Sequence, residues 1–90
     1  MTWSKTIHLN AGIETTNKLL SRFEPFPVFK MDNDTSNPLV GWLHITRGKS
    51  HIDLEVQTGS LFEFDDYYMK VTYLWFGEMY LLVSNKPIPA

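Results

Sequence analysis

Residues 73–83 read YLWFGEMYLLV, an apolar and aromatic segment with the pair Gly77-Glu78 near its centre. A Gly-X pair between two apolar runs is typical of a β-hairpin with a two-residue type II′ turn. In that register Trp75 lies opposite Tyr80. Because side chains alternate between the two sides of a strand, the hairpin has two faces, and neither of them is polar. Such a hairpin needs apolar cover on both sides.

The two predicted faces differ in chemistry. One is aliphatic and belongs in a core: Thr72, Leu74, Phe76, Met79, Leu81 and Val83. The other consists mainly of rings with a polar edge: Val71, Tyr73, Trp75, Tyr80 and Leu82.

One helix is predicted before the hairpin, over residues 11–23. Asn10 can cap it by accepting a hydrogen bond from a free backbone N–H of the first turn. Pro25 and Pro27 end it, because proline lacks the backbone N–H that a helix requires. The apolar side chains of this segment fall mainly on one side: Ile13, Leu19, Leu20 and Phe23.

Most of the remaining chain predicts strands. Residues 51–57, HIDLEVQ, alternate most regularly, with Ile52, Leu54 and Val56 on one side and polar side chains on the other. A strand with one solvated face is typical of an antiparallel sheet. A polar loop is predicted over residues 32–38. Further strands are predicted over residues 6–9, 28–31, 39–46, 61–64, 67–76 and 79–84.

These elements predict one α+β domain over residues 1–90. One helix would pack on a mostly antiparallel sheet of about five or six strands that ends in a C-terminal β-hairpin. A helix of this length spans roughly 20 Å at about 1.5 Å per residue, enough to cover one face of the sheet. The aromatic face is then covered either by the chain's own residues 23–27 or by a partner, and the sequence favours neither. Such a partner is a different protein or a second copy of the chain in a homodimer.

Composition narrows the classes of function. The formal net charge is −2 and the sequence pI is about 5.8. Non-specific nucleic-acid binding requires clustered Lys and Arg, so direct contact with nucleic acid is not expected. The chain has no cysteine, which excludes disulfides and Cys-ligated zinc and favours a cytoplasmic location. The apolar runs fall short of the roughly 20 residues of a transmembrane helix, so no membrane partner is expected.

A second aromatic segment, residues 62–68 (FEFDDYY), alternates rings with carboxylates. Rings anchor protein interfaces, and carboxylates steer and pair with basic groups, so this acidic-aromatic strip suits a partner with a basic or apolar surface. The simpler interpretation is a polar turn between two strands. Strip and hairpin together supply the predicted partner-binding residues: Phe62, Phe64, Asp65, Asp66, Tyr67, Tyr73, Trp75 and Tyr80.

No catalytic, cofactor-binding or metal-binding motif is found in the sequence. His44 and His51 flank the 47–50 turn, but they lack a third ligand at a fixed spacing, so neither a metal nor another cofactor is predicted. His51, Asp53 and Glu55 share one strand face. They support a hydrolase as an alternative, but an exposed polar strand face looks the same, so no catalytic residue is predicted.

We therefore predict a small, cytoplasmic, non-enzymatic interaction protein that binds a macromolecular partner, in the first place a protein, through its acidic-aromatic hairpin surface. In size and composition such compact acidic chains resemble inhibitors carried by bacteria or their phages, such as immunity proteins, antitoxins and anti-defence proteins. The resemblance implies an inhibitory role. The alternative is a small-ligand-binding protein with an aromatic pocket, for example at a homodimer interface.

Overall fold

The computed structural model describes residues 2–16 and 26–90. In these residues the chain forms two antiparallel sheets of four strands each. The strands predicted from the sequence are confirmed to within a few residues, and one further short strand, β2, is added. The strands are β1 (Ser4–Asn10), β2 (Thr15–Thr16), β3 (Val28–Asp34), β4 (Asn37–Arg47), β5 (Ser50–Gln57), β6 (Leu61–Phe64), β7 (Tyr67–Trp75) and β8 (Glu78–Ser84).

The first sheet has the strand order β1-β8-β7-β6, and the second has the order β2-β3-β4-β5. Neighbours within each sheet are consecutive in sequence, except that β1 pairs with the C-terminal β8, from Ser4 opposite Ser84 to Asn10 opposite Glu78. Buried Ser84 reinforces this pairing, because its Oγ donates a hydrogen bond to the carbonyl oxygen of Trp3 at 3.1 Å. The N-terminal strand therefore lies beside the C-terminal hairpin.

The two sheets pack face to face, and the side chains between them form one hydrophobic core. On β5 the alternation predicted for HIDLEVQ is confirmed: Val56 is buried, Ile52 and Leu54 pack against the core, and their neighbours are exposed or half-buried. Side chains with no solvent exposure are Leu9, Phe29, Met31, Leu43, Ile45, Met69, Val71, Met79, Leu81 and Val83.

The predicted α+β class is wrong, because the described residues contain no helix and a second sheet packs on the first. Part of the predicted helix, residues 11–16, forms a turn followed by β2. β2 pairs with β3, and its residues Thr15 and Thr16 are β-branched and favour strands over helices. The remainder of the predicted helix, residues 17–23, lies outside the described residues.

Directly after Asn10, where a helix was predicted, the backbone N–H groups form hydrogen bonds to residues distant in sequence. The backbone N–H of Ala11 donates to the carbonyl oxygen of Gly77, and that of Gly12 donates to the carbonyl oxygen of Met31, each at 2.8 Å. Gly12 has a φ of +80°, a left-handed conformation that a right-handed helix does not contain. The chain therefore bridges the two sheets at a point where local sequence predicts the start of a helix.

The prediction of a polar loop over residues 32–38 is wrong for most of that range. β3 continues through Asp34 and β4 begins at Asn37, so the turn itself is Thr35-Ser36. Asp34 Oδ1 accepts hydrogen bonds from the Oγ (2.7 Å) and the backbone N–H (2.9 Å) of Ser36. These bonds lower the pKa of Asp34, and they close a tight turn that lets polar residues on both sides remain in strands.

The C-terminal hairpin is present, but its predicted turn is wrong. Trp75 pairs with Glu78, so the two-residue turn is Phe76-Gly77. Phe76 has a φ of +47° and Gly77 a φ of +75°, and two consecutive positive φ values are characteristic of a type I′ turn, not of the predicted type II′.

A β-bulge in β7 corrects the predicted hairpin faces at two positions. The register shifts between Val71 and Tyr73, which leaves Thr72 as the extra residue. Val71 is buried and Thr72 is exposed, the reverse of the prediction. The backbone of Val71 bonds at 2.7 and 2.9 Å to residues 59–60, so a tertiary contact accompanies the bulge.

Leu81 and Leu82 test the inward and outward faces of β8. Leu81 has no exposed surface, whereas Leu82 belongs to the outward set and is half-buried. We expect Leu81→Ala to lower the free energy of unfolding by about 2–5 kcal/mol, as deletion of a buried leucine does, and Leu82→Ala to lower it by roughly 1 kcal/mol or less. Chemical denaturation of both variants measures the difference, and equal losses would contradict the assignment.

Candidate functional site: an aromatic face and an apolar tip

The outer side of the first sheet carries a row of rings, here named the aromatic face: His8, Tyr73, Trp75 and Tyr80. His8 and Tyr80 stack with ring centroids 4.7 Å apart and planes inclined by 11°. Tyr73 meets Tyr80 edge to face, at 5.7 Å and 62°. The predicted cross-strand pair of Trp75 and Tyr80 is wrong, because Tyr73 lies opposite Tyr80. Trp75 nevertheless lies on the predicted outward face and is 44% exposed.

One carboxylate lies among these rings. Glu78 Oε1 is 2.9 Å from His8 Nε2 and 3.5 Å from the hydroxyl of Tyr80, and Glu78 pairs with Trp75 across the hairpin. Exposed pairs of this kind contribute little to folding stability. Here the carboxylate of Glu78 provides a hydrogen-bond acceptor within an aromatic surface.

The tip of the β7–β8 hairpin holds a strained aromatic residue. Phe76 occupies the left-handed region at φ +47°, where type I′ turns favour Asn, Asp or Gly. That conformation costs an ordinary L-residue about 1–2 kcal/mol. Phe76 is also 68% exposed, so burial does not offset the strain, although an edge-to-face contact with Trp75 at 4.8 Å offsets part of it. Backbone strain of this kind is concentrated at functional sites.

Two other segments fix the position of this tip. The backbone N–H of Phe76 donates to the carbonyl oxygen of Pro38 at 3.1 Å, and the carbonyl oxygen of Gly77 accepts from Ala11 at 2.8 Å. A Cβ atom on Gly77 would lie 2.9 Å from Asn33 Oδ1, so this position requires glycine for space as well as for its positive φ. The ring of Phe76 therefore projects from a backbone that is anchored on both sides.

Two more apolar side chains flank the tip, since Leu39 follows Pro38 and Ile13 comes two residues after Ala11. Ile13 is 57% exposed and Leu39 is 52% exposed. We name Ile13, Leu39 and Phe76 the apolar tip. The tip adjoins the aromatic face through the contact of Phe76 with Trp75, and exposed apolar side chains grouped in this way are typical of interaction sites.

The acidic-aromatic strip of residues 62–68 lies apart from this surface. It forms β6, the following turn and the start of β7, whereas the tip follows the end of β7. Nine residues of strand at about 3.3 Å each separate the two by roughly 25–30 Å. Within the strip, Phe64 and Tyr67 are buried in the core and Phe62 packs against it.

The two aspartates of the strip occupy the turn between β6 and β7. Asp65 Oδ2 lies 3.7 Å from Arg47 Nη1, and the Arg47 guanidinium lies 5.5 Å from the ring centroid of Tyr67. Asp66 is exposed. The structure thus brings Tyr73, Trp75 and Tyr80 together, and it places the other predicted partner-binding residues at the opposite end of β7 or in the core.

Sequence reasoning missed four residues of the site: His8, Ile13, Leu39 and Phe76. His8 joins it through the long-range pairing of β1 with β8, for which local sequence carries no signal. The assignment of Phe76 to the aliphatic core face is wrong, because Phe76 lies in the turn and is largely exposed. Its place in the turn had a signal, because glycine can be the second residue of a two-residue turn as well as the first.

The outer side of the second sheet carries a polar network in addition to the exposed ring of Trp42. Asp53 Oδ1 lies 2.5 Å from His44 Nδ1, and Asp53 Oδ2 lies 2.5 Å from His51 Nε2. His44 Nε2 also lies 3.2 Å from Asp32 Oδ2, so the network crosses three strands. Hydrogen bonds with His44 and with His51 lower the pKa of Asp53 below its ordinary value.

Two residues of the hydrolase alternative, His51 and Asp53, belong to this network. His51 Nδ1 lies 3.4 Å from Thr46 Oγ1, which places a hydroxyl, an imidazole and the Asp53 carboxylate in sequence. The His51 side chain is 55% exposed on an open strand face, whereas catalytic electrostatics require a water-excluded site. Glu55 lies apart from the chain of contacts, opposite Trp42. Among the described residues, no group of three His, Asp or Glu side chains is arranged to hold a metal ion.

No family model, curated protein or solved structure matches the chain. Within residues 2–16 and 26–90, no helix has the length and apolar character needed to cross a bilayer.

Asp53 predicts a pH dependence of stability. Its pKa in the folded state lies below the ordinary 3.8, so its stabilising contribution is present above that value and is lost as the pH falls through the folded-state pKa. We expect the free energy of unfolding of the wild type to fall more steeply on acidification below pH about 4 than that of Asp53→Asn. Urea denaturation in steps from pH 6 to pH 2 measures this, and parallel curves would contradict it.

Proposed function

We propose that this chain is a small non-enzymatic protein-interaction domain that binds through the aromatic face and the apolar tip. The observation that carries the proposal is Phe76, a bulky ring held in a strained turn and 68% exposed. In an isolated chain the strain of this turn exceeds the gain from the contact with Trp75, and Asn at the same position would relax the turn. A protein that buries the ring would gain a large apolar contact, as hot-spot residues provide.

The geometry of the rings supports a protein partner. Tyr73 and Tyr80 are inclined by 62°, and Trp75 and Phe76 by 90°, so the rings do not form one flat stacking platform. The net charge of −2 disfavours phosphate contacts. Tyr and Trp bury large areas while keeping a hydrogen-bonding edge, and they are enriched at protein–protein interfaces.

The charge of the surface supports a partner with an apolar centre and a basic group beside it. Glu78 is the carboxylate among the rings, and an Arg or Lys of the partner can pair with it while stacking on a ring. The inhibitory role implied by size and composition is consistent with such a domain, since covering a partner's functional surface requires no chemistry. The small-ligand alternative has less support here, because these rings lie on an open strand face and small-molecule sites are concave.

The variant Phe76→Asn distinguishes an effect on binding from an effect on folding stability, because we expect the two to change in opposite directions. We expect Phe76→Asn to raise the free energy of unfolding by about 0.5–1 kcal/mol, since relief of about 1–2 kcal/mol of strain exceeds the lost ring contact of about 0.5–1 kcal/mol. We expect the same variant to reduce capture of the partner from an extract of the source cells at least about tenfold, as loss of an anchor residue does. The double variant Tyr73→Ala, Trp75→Ala should also lose capture while it remains folded.

Trp42→Ala is the matched control. Trp42 lies on the outer face of the second sheet and is 43% exposed, against 44% for Trp75. It should retain capture of every protein that Phe76→Asn loses. Full capture by Phe76→Asn, or equal loss from Trp42→Ala, would refute the proposed surface.

A further inference from the structure

The carboxylate of Glu78 has one charged neighbour in the structure and one oxygen to spare. Its Oε1 atom lies 2.9 Å from His8 Nε2 and 3.5 Å from the hydroxyl of Tyr80. Among the described residues, its Oε2 atom takes part in no hydrogen bond, and no lysine or arginine pairs with the carboxylate. The side chain is 43% exposed, so Oε2 can accept hydrogen bonds from a partner.

The exposed indole ring of Trp75 lies beside this carboxylate, because Trp75 and Glu78 are directly opposite in the hairpin register. The Cβ atoms of directly opposite residues are about 4.5–5.5 Å apart, so a cation bound by Glu78 can also contact the indole ring. The ring of Tyr80 is less accessible, because His8 stacks on it at 4.7 Å and Tyr73 meets it at 5.7 Å. Of the aromatic side chains, Trp attracts cations most strongly.

A carboxylate beside an open indole ring suits a guanidinium group better than an ammonium group. The guanidinium is planar, so it can stack on the ring while its edge donates hydrogen bonds to the carboxylate, and it is less strongly hydrated than the ammonium of lysine. We propose that Glu78 and Trp75 form a subsite for an arginine side chain of the partner, and that His8 weakens binding there when it is protonated. The inference rests on the proposed function, because it specifies which group of the partner meets the aromatic face.

His8 controls the net charge of the subsite. Histidine is the side chain whose charge ordinarily changes between about pH 5 and 8. A neutral imidazole leaves its pair with Glu78 the single negative charge of the carboxylate, and that charge attracts arginine. An imidazolium makes the pair neutral and competes with arginine for the same carboxylate. The subsite is therefore open to a cation at slightly alkaline pH and closed at mildly acidic pH.

The other charged groups around β1 lie away from this pair. β8 is the strand that pairs with β1, and its titratable residues are Glu78 and Tyr80. On β1 itself, Lys5 lies opposite Val83, nearer the other end of the strand. β3 packs against β1 inside the sandwich, but its charged residues lie on the outer side of the second sheet or at its turn: Lys30, Asp32 and Asp34. Glu78 is therefore the carboxylate whose charge His8 offsets.

Selection from a phage library of random dodecapeptides at about pH 8, where histidine is mostly neutral, tests the arginine subsite directly. Peptides that still bind Phe76→Asn are discarded, which restricts the set to the proposed surface. We expect the wild type and the control Trp42→Ala to enrich peptides with an arginine beside apolar residues, and to favour arginine over lysine. Glu78→Gln should lose this preference, and so should Trp75→Leu, which keeps an apolar side chain but no ring.

Calorimetric titration with one enriched synthetic peptide that lacks His, Asp and Glu tests the role of His8. We expect the wild type to bind it at least about threefold more weakly at about pH 5.5 than at about pH 8. Glu78→Gln should bind at least about fivefold more weakly than the wild type at the higher pH. His8→Phe keeps a ring against Tyr80 and retains His44 and His51, so its affinity should be the same at both pH values.

The proposal is overturned if the wild type enriches no peptide that depends on Phe76, or if lysine is as frequent as arginine in those peptides. It is also overturned if Glu78→Gln binds as tightly as the wild type, if the wild type shows no pH dependence, or if that dependence persists in His8→Phe. Each of these results leaves the proposed function standing when Phe76→Asn still loses capture of a protein. If Phe76→Asn retains every peptide and every captured protein, the proposed function fails as well.

Discussion

The positive φ values of Phe76 and Gly77 define the turn of the C-terminal hairpin, and this turn sets the register in which β7 and β8 pair. With Trp75 opposite Glu78, the side chain of Leu74 packs between the sheets. Gly77 adopts its left-handed conformation without a Cβ penalty and leaves room for Asn33. Phe76 carries a Cβ atom, so the same left-handed conformation is strained at its position. The turn that sets the pairing of β7 with β8 therefore also holds a strained ring in solvent, and this connects the fold to the proposed function.

Packing of the two sheets accounts for one of the two apolar faces of the hairpin. Its aliphatic face packs against the second sheet, and its aromatic face points away from the core. Residues 26 and 27 lead directly into β3 of the second sheet, so this part of the predicted covering loop does not cross the aromatic face. Tyr73 and Tyr80 remain 42% and 36% exposed within the described part of the chain. The outer face of the second sheet is different, because its central feature is the hydrogen-bonded network around Asp53.

Local patterns predicted much of this structure. The alternation in residues 51–57 predicted β5 and its buried face, and the apolar run around Gly77 predicted the hairpin and the outward position of Trp75. The predictions were wrong where contacts between residues distant in sequence determine the local structure. Gly77 fits two turn types, and choosing the right one requires Phe76 in a conformation that its side chain disfavours. The bulge at Thr72 accompanies bonds from residues 59–60. The absence of helix at residues 11–16 reflects bonds from Ala11 to Gly77 and from Gly12 to Met31, both distant in sequence. The pairing of β1 with β8, which adds His8 to the site, spans nearly the whole chain.

The three tryptophans of the chain allow a direct test of whether the aromatic face and the apolar tip make the protein contacts. Trp75 lies on the aromatic face, Trp42 on the outer face of the second sheet, and Trp3 against Tyr67 with ring centroids 6.1 Å apart. The measurement is fluorine NMR of the chain labelled with 5-fluorotryptophan, recorded while the captured partner is added. The structure predicts that the Trp75 resonance shifts or broadens while the Trp42 and Trp3 resonances stay in place. A shift of Trp42 with Trp75 unchanged would contradict it.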